Sequence, residues 1–516
     1  MKKLLNPVFS LAIIISLLFS SCSGPSKEIF KYVPETALAV FTVNPGDLIE
    51  KGKLQELDFV KEGASQTEIT SKIIEDPESS GIDMEQVSAF FIFGKDPAYG
   101  CILMPIIDES DYENMISEIE KEMDESFPRE ERNGYQVVRI EEAVMLYDNS
   151  VSMTLFSMND WVDDNLLLIA DNLLSLEKEE CLLSDKDFNN FIGKQKDINA
   201  WFSSTKLSSI PGAGEMEDAM DLFGSLRNNY GHAFAEFEKG SMTLTTNLRF
   251  NQTIQETIDK FNFLDENAIK ELLTYLPAEE LFFVGNTNLD PEKIFDLLKL
   301  INSDFDRIFD NLAADMNLTA DEIKKAFGGE FAFSINGMVE VEGNLEDEEF
   351  FEKIPRFVAA SRMRNNDFFE KFLNLAENQS EVIDMGGYYS VNNQGIPMYM
   401  MLKDKDLIVS NEQEILMEIS ENGELEDNVT RAEYGTILTK NPICFYLNLD
   451  RKNYNKDFED MLPGKMDDEI AWGMENFGEQ LKSLSFSANL EEWEIRMELQ
   501  NDEEYSLYTL LSQIDK

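Results

Sequence analysis

One histidine, His232, has to serve a chain of 516 residues. That excludes a multi-histidine metal centre. A histidine general base would have to be this residue, with oriented partners around it. It lies in Tyr230-Gly231-His232 ahead of an apolar run, where it reads as an ordinary strand-entry residue. Cysteine is nearly as scarce. Beyond Cys22 only Cys101, Cys181 and Cys444 remain, an odd number with no metal-ligand spacing. Cys101 and Cys444 fall inside apolar runs and read as small buried hydrophobes. A Cys101–Cys181 bridge stays open, but the fold does not depend on disulfides. Gly-x-Ser-x-Gly, the phosphate-loop pattern and Cys-x-x-Cys are all absent, so the usual hydrolase, nucleotide and thiol-redox signatures are missing. Phe327-Gly328-Gly329 reads as the end of a helix and the start of a strand.

Positive charge is the next shortage: 44 Lys and Arg stand against 100 Asp and Glu, a net charge of −56. The excess runs through both halves of the chain. Such a surface repels nucleic acid and anionic headgroups and leaves basic partners and weak cation binding open. Acids cluster at Asp108-Glu109-Ser110-Asp111, Asp163-Asp164, Glu346 to Glu349 and Asp467-Asp468-Glu469. None has the loop spacing with glycine of an EF-hand, so neither metal nor cofactor is expected. Exposed helix starts account for most of these acids, which favour the positive end of the helix dipole.

Long apolar runs are missing after the first 20 residues. Lys2 and Lys3 precede the apolar stretch Val8 to Phe19, which is too short to span a bilayer well, and Ser20-Ser21-Cys22 follows. This resembles a bacterial lipoprotein signal, which implies a signal peptide over 1–21 and lipidation of Cys22. Residues 22–29, with Ser23-Gly24-Pro25-Ser26, would form a tether. The expected membrane contact is that N-terminal lipid anchor, with the periplasmic or surface side left open.

What is present is repetition. Tyr32-Val33-Pro34, leading into Leu38-Ala39-Val40-Phe41, recurs as Tyr275-Leu276-Pro277, leading into Leu281-Phe282-Phe283-Val284. Each reads as a Tyr-apolar-Pro turn feeding a buried strand. Further matches keep their order. Ala89 to Phe93 parallels Phe331 to Ile335, Gly134-Tyr135 parallels Gly387-Tyr388, and Asp164 to Asp171, with Leu166 to Ala170 read as a strand, parallels Asp404 to Asn411. A tandem duplication follows, too long in period for a solenoid. Domain 1 spans 30–255, a helical connection 256–272, and domain 2 spans 273–510. Closely spaced strands point to antiparallel hairpins. The expected class is α+β, with each domain a largely antiparallel sheet carrying helices on one face.

The lipoprotein signal, the Tyr32-Val33-Pro34-x-x-Ala37 turn, and Asn44 with Leu48 after it together resemble a family of uncharacterised lipoproteins from Bacteroides and relatives, grouped as a domain of unknown function. The resemblance implies a Gram-negative envelope, an outer-membrane lipoprotein, and no functional residues to carry over. The residues themselves favour a non-enzymatic binding protein with a protein or a glycan as partner. The alternative is a glycan-directed hydrolase using a carboxylate pair. Loops on a fixed scaffold carry specificity. That points to Met145–Asp160, read as an insertion carrying Tyr147 and Phe156 with Trp161 directly after it, and to the shorter Asn392-Asn393-Gln394-Gly395. Tolerated surface variation is the equal alternative for both.

Overall fold

The computed structural model describes residues 27–58, 60–61, 76–94, 97–140, 143–158, 165–204, 229–265, 269–301, 314, 319–340, 353–379, 381–393, 396–453 and 478–514. Cys22 and the signal, Asp163-Asp164, Trp161, Glu346 to Glu349 and Asp467 to Glu469 lie outside them. The chain forms two compact units, Met1–Ile254 with Asn501–Lys516, and Gln255–Gln500. No helix among the described residues is long and apolar enough to cross a membrane.

Among the described residues unit one has ten strands: β1 (Ala39–Val43), β2 (Ser88–Gly94), β3 (Ala98–Pro105), β4 (Arg129–Arg132), β5 (Tyr135–Ile140), β6 (Ala143–Tyr147), β7 (Val151–Ser157), β8 (Ile198–Ser203), β9 (Tyr230–Glu238) and β10 (Ser241–Arg249). Every pairing is antiparallel, in the order β4-β5-β6-β7-β3-β2-β1-β8-β9-β10. Its described helices include α1 (Pro45–Gly52), α2 (Glu109–Met123), α3 (Leu166–Leu174) and α4 (Lys186–Phe191). Asp108 caps α2, its Oδ1 accepting the Ser110 and Asp111 N–H groups at 2.9 and 3.1 Å. Tyr112, Met115 and Ile116, at helical spacing, are the residues α2 buries.

The helices do not keep to one face of the sheet. All eight residues of β3 are buried. Because side chains alternate along a strand, Cys101 and Leu103 enter one core with α3 and α4, while Ile102 and Met104 enter a second with α2. The C-terminal helix Ser506–Ile514 adds Tyr508 and Leu511 to that second core. A fully buried strand reads as a continuous apolar run and hides its two-sidedness from sequence.

Two further expectations change. Leu166 to Ala170 is helix, the start of α3. Leu166, Leu167, Ala170 and Leu173 are buried while Leu168 is 57% exposed, a helical pattern that a five-residue apolar window cannot separate from a strand. Full burial of each leucine is worth roughly 1.5–3 kcal/mol as an upper estimate. Met145–Asp160 is not an insertion. It holds the end of β6, a turn in which the Asp148 carboxylate accepts the Ser150 and Val151 N–H groups, and all of β7.

Unit two has β11 (Leu281–Asn288), β12 (Phe327–Glu340), β13 (Lys353–Met363), β14 (Glu381–Asp384), β15 (Tyr389–Asn393), β16 (Ile396–Lys403), β17 (Asp406–Ser410), β18 (Ile443–Asn448), β19 (Leu481–Ala488) and β20 (Glu492–Leu499). Their antiparallel order is β14-β15-β16-β17-β13-β12-β11-β18-β19-β20, the order of unit one strand for strand. Its helices are α5 (Gln252–Phe261), α6 (Pro291–Ile301), α7 (Ala320–Ala326), α8 (Asp367–Gln379), α9 (Gln413–Asn422) and α10 (Gly435–Leu438). In this order β17 answers to β7, not to Leu166–Ala170, so Leu167 and Leu407 are not equivalent. In both units the tyrosine of the Tyr-apolar-Pro segment ends a short 3-10 helix, and its proline bridges a distant segment, Pro34 to Cys181 and Pro277 to Asn428. The strand register also shifts by one. Val40 pairs with Phe91 and Val284 with Ser334, all four fully buried, so Phe91 answers to Ser334 rather than Phe333. A one-residue slip would turn every side chain to the other face.

Candidate functional site

Of the aromatics chosen from sequence, Tyr147 and Phe156 fall among the described residues, and both are packed within unit one. Tyr147 is 1% exposed and lies in the second core of unit one. Its ring meets Tyr112 edge-on at 5.2 Å, its hydroxyl donates to Glu113 at 3.3 Å, and burial pushes its pKa up to about 12. Phe156 stacks on Phe90 and covers Gly100. Both side chains are packing elements.

His232 is also structural. Its Nε2 lies 2.7 Å from Asp187 Oδ2, and its ring packs against Phe191 and Phe234. Arg249 reaches Asp187 Oδ1 at 3.0 Å. Burial opposes ionisation of Asp187, but the His232 hydrogen bond and the charges of His232 and Arg249 together hold its pKa below the usual range. Cys101, Cys181 and Cys444 are buried free thiols.

A cavity opens at one end of the unit-two sheet. There the Asn288 N–H, closing β11, donates to the Pro442 carbonyl at 2.9 Å just before β18. Around this point gather α5, the start of α6, Gly328 and the β19–β20 turn. They enclose about 720 Å³, within the rough 300–1,000 Å³ range of ligand pockets. The lining is amide-rich, with Gln255, Asn262, Asn288, Asn441 and Asn489. Asp259, Asp265, Asp290 and Glu491 add acids, and Lys293 adds one ammonium. Asp290 caps α6, accepting the Glu292 and Lys293 N–H groups, and takes an Arg364 hydrogen bond at 2.8 Å. Lys293 donates to the Asn262 carbonyl at 2.9 Å.

Unit one has the matching end but fills it. The Asn44 N–H donates to the Asp197 carbonyl at 2.9 Å, so Asp197 stands where unit two has Pro442. Its carboxylate accepts two Lys51 bonds at 2.7 and 2.8 Å and the Phe237 N–H at 2.6 Å. Burial nevertheless leaves its pKa raised. The C-terminal segment then closes over it. Lys53 pairs with Glu504 at 2.6 Å, Lys51 lies over the Tyr505 ring, and the Gly240 N–H donates to the Glu504 carbonyl. In unit two, proline supplies no carboxylate, and no residue of α5 is buried. The space therefore stays open.

A second, apolar hollow of about 410 Å³ lies on the sheet of unit two among Leu289, Phe327, Phe331, Ala359, Leu407 and Val409. Among the described residues no group of three or more metal-ligating side chains occurs. Sequence reasoning missed the polar cavity because its lining comes from five separate stretches between Gln255 and Glu491, with no motif in any of them.

A family model described as a domain of unknown function (DUF4836) matches residues 31–507. No curated protein matches the chain. The solved structure titled "Structure of crystal form III of TP0453" is 10% identical, with a TM-score of 0.28, over 48% of this chain and 90% of that one. Crystal form IV of the same protein is 11% identical, with a TM-score of 0.26, over 45% and 83%.

Proposed function

We propose that this chain, which belongs to the DUF4836 family of domains of unknown function, is a non-enzymatic binding protein of the cell envelope whose ligand enters the polar cavity of unit two. The carrying observation is the contrast between the sheet ends: one is closed by Lys51, Asp197 and the C-terminal segment, and the other is open behind Pro442. The shared strand order is consistent with a tandem duplication in which one copy kept a filled end and the other freed it. Lys2, Lys3, the apolar stretch to Phe19 and Ser20-Ser21-Cys22 support lipid anchoring through Cys22, and with it an outer-membrane address.

Binding is favoured over hydrolysis by the state of the acids. A carboxylate-pair glycosidase needs one acid kept protonated near neutral pH. Among the described residues, Asp197 and Glu330 are acids that burial pushes upward, and both lie outside the cavity, paired with Lys51 and Arg362.

The test uses the full chain. Ile258→Trp places bulk in the cavity from α5. A thermal-shift and titration screen against oligosaccharides and basic peptides should find a ligand that wild type binds and Ile258→Trp does not. Ligands that bind both proteins equally, or no ligand at all, would overturn the cavity reading. Labelled palmitate should enter wild type and not Cys22→Ala; labelling of the variant would sink the anchor.

A further inference from the structure

From the hydrogen-bonding groups left open in this cavity we infer that its ligand is a short neutral glycan, an inference that rests on the cavity being the binding site. The lining acids at first suggest a cation, but among the described residues no three of them come together as a metal-ligand group, and Asp259 and Asp290 already accept hydrogen bonds. Asp290 accepts from two backbone N–H groups and Arg364. Asp259 accepts from Gln255 at 3.0 Å, and Asp265 is engaged as well. Glu491 makes no side-chain bond. An anion meets four carboxylates and a single ammonium that is tied to the Asn262 carbonyl and Asp290. An apolar ligand would strand the amides, and leaving buried polar groups unpaired costs more than their bonds return.

Amides remain open. The Asn262 side chain makes no hydrogen bond. Asn441 spends its NH₂ on Ser487 and keeps Oδ1 open. Asn489 uses Oδ1 to accept the Glu491 and Glu492 N–H groups, so its Nδ2 remains. Open donors and open acceptors thus stand side by side around one cavity. A hydroxyl donates one bond and accepts others, so a surface dense in hydroxyls matches such a set, whereas an ammonium only donates and a carboxylate only accepts. Saccharides without acid or amine groups are the class that presents hydroxyls at this density. Ile258, Leu264, Pro442 and Leu490 offer apolar surface for the C–H faces of the sugar ring.

The variants follow from the geometry. Asn262 has a left-handed φ of 39°, so Asn262→Gly removes the amide without straining the backbone. It is combined with Asn441→Ala. The charge control is Glu491→Gln. The probes are short neutral glucan and mannan oligosaccharides, a uronic-acid oligosaccharide, and spermidine, titrated into the full chain by calorimetry. A neutral oligosaccharide should bind wild type, weaken about tenfold in N262G/N441A through two lost hydrogen bonds, and be nearly unchanged in E491Q. The uronic-acid probe should not bind. Spermidine binding that E491Q weakens, with no neutral sugar binding, would overturn the glycan assignment. If Ile258→Trp also blocks spermidine, the cavity stands as the site. Neutral sugars that bind N262G/N441A as they bind wild type overturn the inference; a probe set indifferent to Ile258→Trp overturns the cavity with it.

Discussion

Two buried aspartates in unit one are shifted in opposite directions. Asp197 answers to one lysine and one backbone N–H, and desolvation wins, so its pKa rises. Asp187 also pays desolvation, but His232 and Arg249 outweigh it, so its pKa falls. The consequences for stability differ in sign. A lowered folded-state pKa means that the unfolded chain binds protons more readily in acid. The Asp187 contribution is therefore complete above the ordinary aspartate pKa and is lost as pH falls through the lower, folded value. Asp187→Asn should destabilise unit one by about 1–3 kcal/mol at about pH 5, the usual cost of stripping a charged partner from a buried network. The gap to wild type should shrink as pH drops below about 4. Urea unfolding of both proteins over that range measures it, and a gap that stays constant or widens in acid would refute the network. Asp197 runs the other way: its raised pKa makes ionisation a cost that appears as pH rises above the ordinary carboxylate range. Neither role was legible in sequence, because Asp187, His232 and Arg249 are far apart along the chain and meet only when α4 packs on β9.

At the scale of elements, local signals were read well where chemistry is local and badly where it is not. The acid cluster Asp108-Glu109-Ser110-Asp111, read as a helix start, does open α2, where Asp108 caps the helix. Leu166 to Ala170 failed because the discriminating residue, Leu173, sits beyond the apolar run. A second non-local device is the phenylalanine row on the sheet of unit two. Phe486, Phe445, Phe283, Phe333 and Phe357, one from each of β19, β18, β11, β12 and β13, follow one another at 5.8, 6.0, 6.4 and 6.2 Å between ring centroids. Gly285 on β11 makes room for it, since a Cβ there would stand 2.5 Å from Phe445 Cδ1. Gly285→Ala should cost about 1–3 kcal/mol by overpacking. Adding Phe445→Leu, which withdraws the ring, should recover part of that loss. Equal stability of Gly285→Ala and wild type in urea would show that the ring moves freely and that the row is incidental.

For the whole molecule, the repeated order of hairpins was legible because each Tyr-apolar-Pro turn and each strand pair is a short-range signal that recurs. The cavity was not, since it depends on Asp197 and Pro442 occupying equivalent points, and that equivalence appears only when the two Asn N–H bonds are set side by side. Charge is the property that composition states outright, and it leads to a prediction about the entire chain. With 44 basic residues against 100 acidic ones, most carboxylates have no cation to pair with. Exposed pairs such as Lys196–Glu236, 2.7 Å apart, are worth about 0–1 kcal/mol each and weaken with salt. Repulsion among the unmatched acids also weakens with salt, because the screening length falls to about 10 Å at 0.1 M. The acids outnumber the pairs, so relief of repulsion should dominate and the melting temperature should rise between about 10 mM and about 200 mM sodium chloride. Choline chloride at equal ionic strength should give the same rise if screening is the cause, whereas a larger effect from sodium or calcium would reveal cation binding to the acidic surface. A melting temperature that is flat or falls in both salts would mean that the carboxylates are spaced widely enough for their net charge not to burden the fold.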